Sequence, residues 1–168
     1  MSMVAGLGWW ATKTRQFRSH VGARVGVSER ADLETWLTAA QLSLFDSMHV
    51  ADRRHGLDVA AVLRAEGVTD ADALLAGLLH DAGKGSVGVW PRVAHSLGQG
   101  YGRWVLAIAR QFPGVRADLA RLETHAQRSA ELAATAGCPA RTVELIRWQE
   151  APRDREFGEL LRLADEAS

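Results

Sequence analysis

One cysteine, Cys138, stands in the 168 residues, and that scarcity excludes an internal disulfide framework. A chain of this length can bury a sufficient core without such staples. Cys138 sits in "AGCPA" with no partner at metal spacing, so it reads as a structural residue of a helix-helix turn in a reducing compartment. Net charge is also missing: 20 basic residues balance 20 acidic ones. No global field therefore draws the chain to nucleic acid or anionic lipid, and any anion must be held locally. No uninterrupted apolar run approaches the ~20 residues of a membrane span. The N-terminal "MSMVAGLGWWATKTRQFR" has no charged region ahead of its short apolar patch, so a cytoplasmic location is expected. Internal repeats, low-complexity tracts, Gly/Ser/Pro linkers and alternating strands are absent as well.

Helical periodicity fills the remainder. Apolar residues recur at three and four spacing in "LETWLTAAQLSLF", "LDVAAVLRAEG", "ADALLAGLLH", "YGRWVLAIARQF", "LARLETHAQRSAELAATAG", "RTVELIRW" and "EFGELLRLADEA". Asp52, Thr69 or Asp70, and Thr142 are candidate N-caps, and Gly67 and Gly137 fall where helices should end. Pro91, Pro113, Pro139 and Pro152 lie in connections or first turns. The expected fold is a single all-α domain of about seven to nine helices over residues 29–168. Residues 1–28 are expected to form an N-terminal extension packing on the bundle, with Trp9 and Trp10 as a local cluster.

Polar groups that interrupt the apolar faces carry the chemical information. His55 shares a face with Val59, Val62 and Leu63 at i, i+4, i+7 and i+8, so its ring points inward. "LLAGLLHDAGKG" runs from an apolar helix into His80 and Asp81, where neighbouring side chains can both turn toward one point. As plain caps, His80 and Asp81 would leave Lys84, Gly83 and Gly85 without a reason. A neutral imidazole beside a carboxylate is instead part of a site for a borderline divalent metal, and the glycines permit close backbone approach. His125 lies on a stripe with Leu119, Leu122, Ser129 and Leu132 or Ala133, as a ligand or a core residue. The last helix carries Leu160, Leu161, Leu163 and Ala164 on its buried side, with Asp165 near its end.

The order His55, then His80-Asp81 in "LLHDAGKG", then Asp165 in "LRLADEAS" resembles the HD-domain superfamily of metal-dependent phosphohydrolases, over most of residues 49–166. "DRRHGLDVAAVL" looks like the family's first-ligand helix, and "ETHAQRSAELAATAGCPARTVELIRW" like the helix pair before its final aspartate. The resemblance implies a compact HD-domain bundle in which His55, His80, Asp81 and Asp165 hold one divalent ion (Mn, Fe, Co, Ni, Zn or Mg). It also implies hydrolysis of a phosphate ester or anhydride by a metal-activated water. Asp81, Lys84 and His125 are the catalytic candidates. Lys84 would offset phosphoryl charge, and Arg53, Arg54, Arg92 and His125 join it as substrate contacts. His95 is a further pocket candidate, while His20 and His49 read as solvated or capping histidines.

Members of the family with two metals add a histidine matched here by His125 and another from a His pair. The pair is replaced by Trp148 and Gln149 in "IRWQE". An amide carbonyl is a poor substitute for imidazole on a transition metal, so one metal is expected, with His125 as general acid, substrate contact or support for the ligands. The lone tyrosine, Tyr101, supplies none of the GYP elements of the cyclic-dinucleotide phosphodiesterases. A small nucleotide or related phosphate compound is the expected partner, with no membrane or long nucleic acid; a homo-oligomer is compatible with the sequence. Two alternatives remain at this point: a catalytically weak or inactive HD domain acting as a metal- and nucleotide-binding regulatory module, and a structural helical domain with buried histidines.

Overall fold

The computed structural model describes residues 24–85 and 124–168. Among the described residues the chain is all-α, with seven helices and no strand. In chain order these are α1 (Val27–Glu34), α2 (Ala39–Ser47), α3 (Val50–Ala65), α4 (Ala71–Leu79), α5 (His125–Thr135), α6 (Ala140–Arg147) and α7 (Gly158–Ala167). None of them is long and apolar enough to cross a membrane. Trp9, Trp10, His20, Pro91, Arg92, His95, Tyr101, Pro113, Leu119 and Leu122 lie outside the described residues.

Helix α4 is the axis of the fold. Every residue from Ala73 to Leu79 is buried, as expected of a helix that is apolar all round. It packs against α3, α6, α7 and α2. Asp70 starts it by accepting the Ala73 N–H at 2.9 Å, which assigns the cap left open between Thr69 and Asp70. Its four leucines, Leu74, Leu75, Leu78 and Leu79, are buried. At about 2 kcal/mol each they contribute on the order of 8 kcal/mol of gross apolar burial. That is enough to anchor a helix whose C-terminal end carries polar groups into the core.

Helix α3 crosses α4 at very short range. A Cβ on Gly56 would stand 2.3 Å from the Leu78 carbonyl oxygen, and one on Gly77 would stand 2.9 Å from Leu63 Cδ1. The crossing depends on the side chain missing at Gly56, where the neighbour is backbone, whereas at Gly77 the nearest atoms belong to side chains. The ends of α3 and α5 are different: Gly67 and Gly137 have φ of +85° and +73°, the left-handed conformation that glycine adopts without strain. In each, a paired turn satisfies the last carbonyls. Val68 N donates to Leu63 O and Gly67 N to Arg64 O, as Cys138 N does to Ala133 O and Gly137 N to Ala134 O, all at 3.0 Å. Cys138 is thereby the residue that folds back onto the core after α5. Burial pushes its thiol up to about 11, in keeping with a structural role.

Several sequence expectations are corrected. The stretch "LETWLTAAQLSLF" is two helices, because Thr38 and Gln41 form a capping box: Gln41 N donates to Thr38 Oγ1 at 3.3 Å and Thr38 N to Gln41 Oε1 at 3.0 Å. Asp52 is no cap. His49 takes that place, its Nδ1 accepting from Ala51 N at 3.3 Å, which leaves Asp52 buried in the first turn of α3. Thr142 likewise lies inside α6 with Pro139 at the cap position, and its hydroxyl donates to Asp72 O at 3.2 Å. Leu163 is 48 % exposed, since two residues past Leu161 is 200° around the helix. Helix α1 begins at Val27, within the segment read as an extension. Glu29 satisfies a donor at its start by accepting from Gly26 N at 2.8 Å.

Candidate metal centre

Three helices converge on one point. His55 comes from the second turn of α3, His80 caps the C-terminus of α4, and Asp165 lies in the last turns of α7. One ligand atom from each lies within 4.8 Å of the others. His55 Nε2 is 2.7 Å from Asp165 Oδ1, and His80 Nε2 is 3.3 Å from the same oxygen. The two imidazoles meet edge to face with centroids 5.1 Å apart.

His80 is oriented by its own helix. Its Nδ1–H donates to the Gly77 carbonyl at 2.9 Å, one of the acceptors that a helix end leaves open. This turns Nε2 toward the cluster, where it is buried without a hydrogen-bond partner. Asp81 follows with a side chain only 1 % exposed. Its Oδ1 lies 3.5 Å from His80 Nε2 and 3.7 Å from His125 Nε2, and its Oδ2 lies 3.9 Å from His55 Nε2. That Oδ1 is also buried without a hydrogen-bond partner. Two orphaned buried atoms of ligand type, aimed at one cluster of imidazoles and carboxylates, fit a divalent ion.

The electrostatics follow from burial and crowding. Burial works against a charge on His80, but the Asp81 and Asp165 carboxylates outweigh it and push the imidazole up to about 9. For Asp81 burial again opposes ionisation, yet His80 and Lys84 hold it well below the usual carboxylate range. Partial burial works against a charge on Asp165, but the His55 and His80 imidazoles beside it hold its carboxyl well below the usual carboxylate range. The Lys84 ammonium pairs with Asp81 Oδ2. Its burial is outweighed by Asp81, with Asp165 and Asp52 adding to the field, so its pKa is raised.

His125 is brought to the edge of the cluster as the first residue of α5, and it is buried. Gln149, just past α6, directs its amide nitrogen to His125 Nε2 at 3.1 Å. The residue that stands where a further histidine was expected therefore occupies the His125 nitrogen nearest Asp81. Gly83 permits a close backbone approach, and what it approaches is the start of α5. A Cβ there would stand 2.5 Å from Ser129 N and 2.6 Å from His125 O, so this glycine lets the turn after α4 lie against the start of α5. Gly83 N donates to Ser129 Oγ at 2.8 Å. Gly85, at φ +64°, turns the chain away.

The two arginines before His55 are engaged by other helices. Arg54 pairs with Glu29 of α1 at 2.7 Å and with Asp58 at 2.9 Å, and Arg53 lies 3.9 Å from Asp46 of α2. Arg54 thus works as a clamp between α1 and α3. Sequence reasoning missed Gln149 as the His125 partner, Ser129 as the support of the turn, and Asp52 as a buried carboxylate one turn before His55. The last was visible as an i, i+3 pair on one helical face.

An all-α bundle with an inward imidazole-carboxylate cluster, drawn from three of its helices, defines the class: a helical protein with a candidate divalent-metal centre. No family model, curated protein or solved structure matches the chain.

Proposed function

We propose that the protein is a metal-dependent phosphohydrolase of the HD-domain type, acting on a phosphate ester or anhydride of a small nucleotide or related phosphate compound. The observation that carries this reading is the convergence of His55, His80 and Asp165, with the orphaned His80 Nε2 and Asp81 Oδ1 beside them. A purely structural account of the histidines leaves those two buried atoms with ion-pair neighbours but no hydrogen bond. His55, His80 and Asp165 would hold the ion, with Asp81 as the fourth ligand. When bound, a single divalent ion supplies an acidified water and a Lewis-acid contact for a phosphoryl oxygen.

The protein's own groups do the positioning. Helix α4 fixes His80 through Gly77, and the α3–α4 crossing sets His55 against it. Among the described residues Lys84 is a cation in contact with the ligands, suited to a phosphoryl oxygen once it leaves Asp81. The Gln149 contact on His125 supports a one-metal centre. A lone cysteine with a structural role supports a reducing, cytoplasmic setting.

The test is elemental analysis of protein purified without chelator or affinity-tag metal, paired with phosphate release from a panel of small nucleotides with added Mn²⁺, Co²⁺, Ni²⁺ or Mg²⁺. About one metal per chain with release is expected, and Asp81→Ala should lose both. Metal without release would favour a regulatory binding module. No metal under any addition would return the histidines to a structural role.

A further inference from the structure

Three of the four candidate ligands are already assembled, and the fourth, beside them, is engaged by a lysine. His55, His80 and Asp165 present ligand atoms within 4.8 Å of one another. Asp81 lies next to them, 3.9 Å from His55 and 3.5 Å from His80 at its nearest atoms. What holds it is Lys84, three residues on, whose ammonium engages Asp81 Oδ2.

The pairing has a local cause. The turn after α4 closes with Lys84 N donating to Asp81 O at 3.0 Å, and Gly83 is pinned to Ser129 at 2.8 Å. This brings residue 84 back over residue 81. A carboxylate as buried as that of Asp81 is costly without a positive neighbour, and Lys84 supplies one from within the same turn. The lysine side chain is 23 % exposed, whereas that of Asp81 is 1 % exposed.

We propose that Lys84 is a latch on Asp81: it neutralises the carboxylate in the metal-free protein, competes with a divalent ion for it, and is released as a cation for an anionic ligand only when the ion takes Asp81. The inference rests on the metal-centre reading and adds to it a coupling between metal entry and the lysine that would meet phosphate. The cost of the latch is a weaker grip on the metal. Its benefit is a stable metal-free protein.

A double-mutant cycle tests this with Mn²⁺ as the probe, followed by calorimetry, together with thermal melting of the metal-free proteins. Lys84→Met should tighten Mn²⁺ binding on the order of tenfold, and the gain should vanish in the Asp81→Asn background, where His55, His80 and Asp165 leave a weaker site that is titrated at higher Mn²⁺. Metal-free Lys84→Met should melt lower than its parent, whereas adding the same change to Asp81→Asn should not lower melting further. Lys84→Gln, which keeps a donor but no charge, should also tighten binding and serves if Lys84→Met does not fold. Unchanged or weaker Mn²⁺ binding in the lysine variants, with the parent binding normally, overturns the latch alone. Equal tightening in both backgrounds also overturns it, since the lysine would then repel the ion without acting through Asp81. A parent protein that takes up no Mn²⁺ overturns the metal-centre reading and the latch together.

Discussion

Gly56→Ala isolates the helix crossing on which the site depends. In an unconstrained helix the change would stabilise by about 1 kcal/mol, because alanine is the better helix former. Here the new Cβ would stand 2.3 Å from the Leu78 carbonyl oxygen, 3.1 Å from its carbon and 3.3 Å from its Cα. All three atoms are backbone, so no rotamer change relieves them. Reaching the ~3.3 Å at which carbon ordinarily meets a carbonyl oxygen requires α3 and α4 to part by about 1 Å. A gap of that size forfeits roughly a quarter to a half of the dispersion attraction along the contact. Overpacking of this kind costs about 3 kcal/mol when backbone must shift. Less the propensity gain, Gly56→Ala should destabilise by about 2 kcal/mol, a fall of roughly 4–8 °C in melting temperature for a chain of this size.

The same displacement reaches the ligands. His55 precedes Gly56, and Leu78 lies two residues before His80, so parting the helices moves one imidazole from the other. Metal affinity should fall along with stability. Gly77→Ala is the control, since its Cβ would first meet Leu63 Cδ1 at 2.9 Å and Val59 Cγ1 at 3.2 Å, side-chain atoms that can adjust. It should cost under ~1 kcal/mol. Thermal melting of the metal-free variants and Mn²⁺ titration supply both readings. A Gly56→Ala protein more stable than its parent, with unchanged metal affinity, would refute the reasoning.

Ser129→Ala should destabilise by about 1–3 kcal/mol, because it leaves the buried Gly83 N–H without the hydroxyl it donates to; chemical denaturation measures this, and a neutral result would mean another acceptor serves that amide. Asp154 accepts from the N–H groups of Glu156 and Phe157 at 2.9 Å and from Arg141 Nε at 2.9 Å, and the Arg141 hydrogen bond, then that of Phe157, holds its carboxyl down to about 2. A folded pKa below the unfolded one stabilises above the unfolded value and loses that contribution as pH falls through the folded one. Asp154→Asn should therefore cost about 1–2 kcal/mol near neutrality, and melting curves of parent and variant should draw together between about pH 4 and pH 2; a difference independent of pH would show that the charge of Asp154 is not what α7 depends on.

Helix type and the inward direction of His55 were legible because both follow from spacing alone. Gly67 and Gly137 were legible as helix ends because the left-handed turn there selects glycine. The break between α1 and α2 was not, since the apolar period continues through Thr38 and only the Thr38–Gln41 pair shows that the chain restarts. The proximity of His55, His80 and Asp165 was reached through resemblance: a separation of 110 residues carries no local signal. Gly83 was read as permitting close backbone approach, but that α5 is what its missing Cβ makes room for was not legible. Such a clash depends on what another segment brings to the spot, which no local pattern contains. Arg53 and Arg54 show the same limit from the other side, because the acids that engage them come from α1 and α2.

The charges explain how a buried helix can end in an imidazole, a carboxylate and an ammonium. Asp81 and Asp165 are held ionised, and the positive groups that hold them include Lys84 and a His80 whose pKa stands near 9. Two negative and two positive charges leave this set balanced without any ion. On the proposed reading a divalent cation replaces both positive charges at once, so the balance is the same in either form. Burying His80 and Asp81 is then tolerable in both, as it would not be if the Asp81 carboxylate were left unpaired. Selectivity for the ion must come from geometry rather than from net charge, and geometry is what the leucines of α4, the Gly77 carbonyl and the Gly56 crossing hold in place. A substitution that keeps every charge but shifts that crossing should therefore damage the site as surely as loss of a ligand.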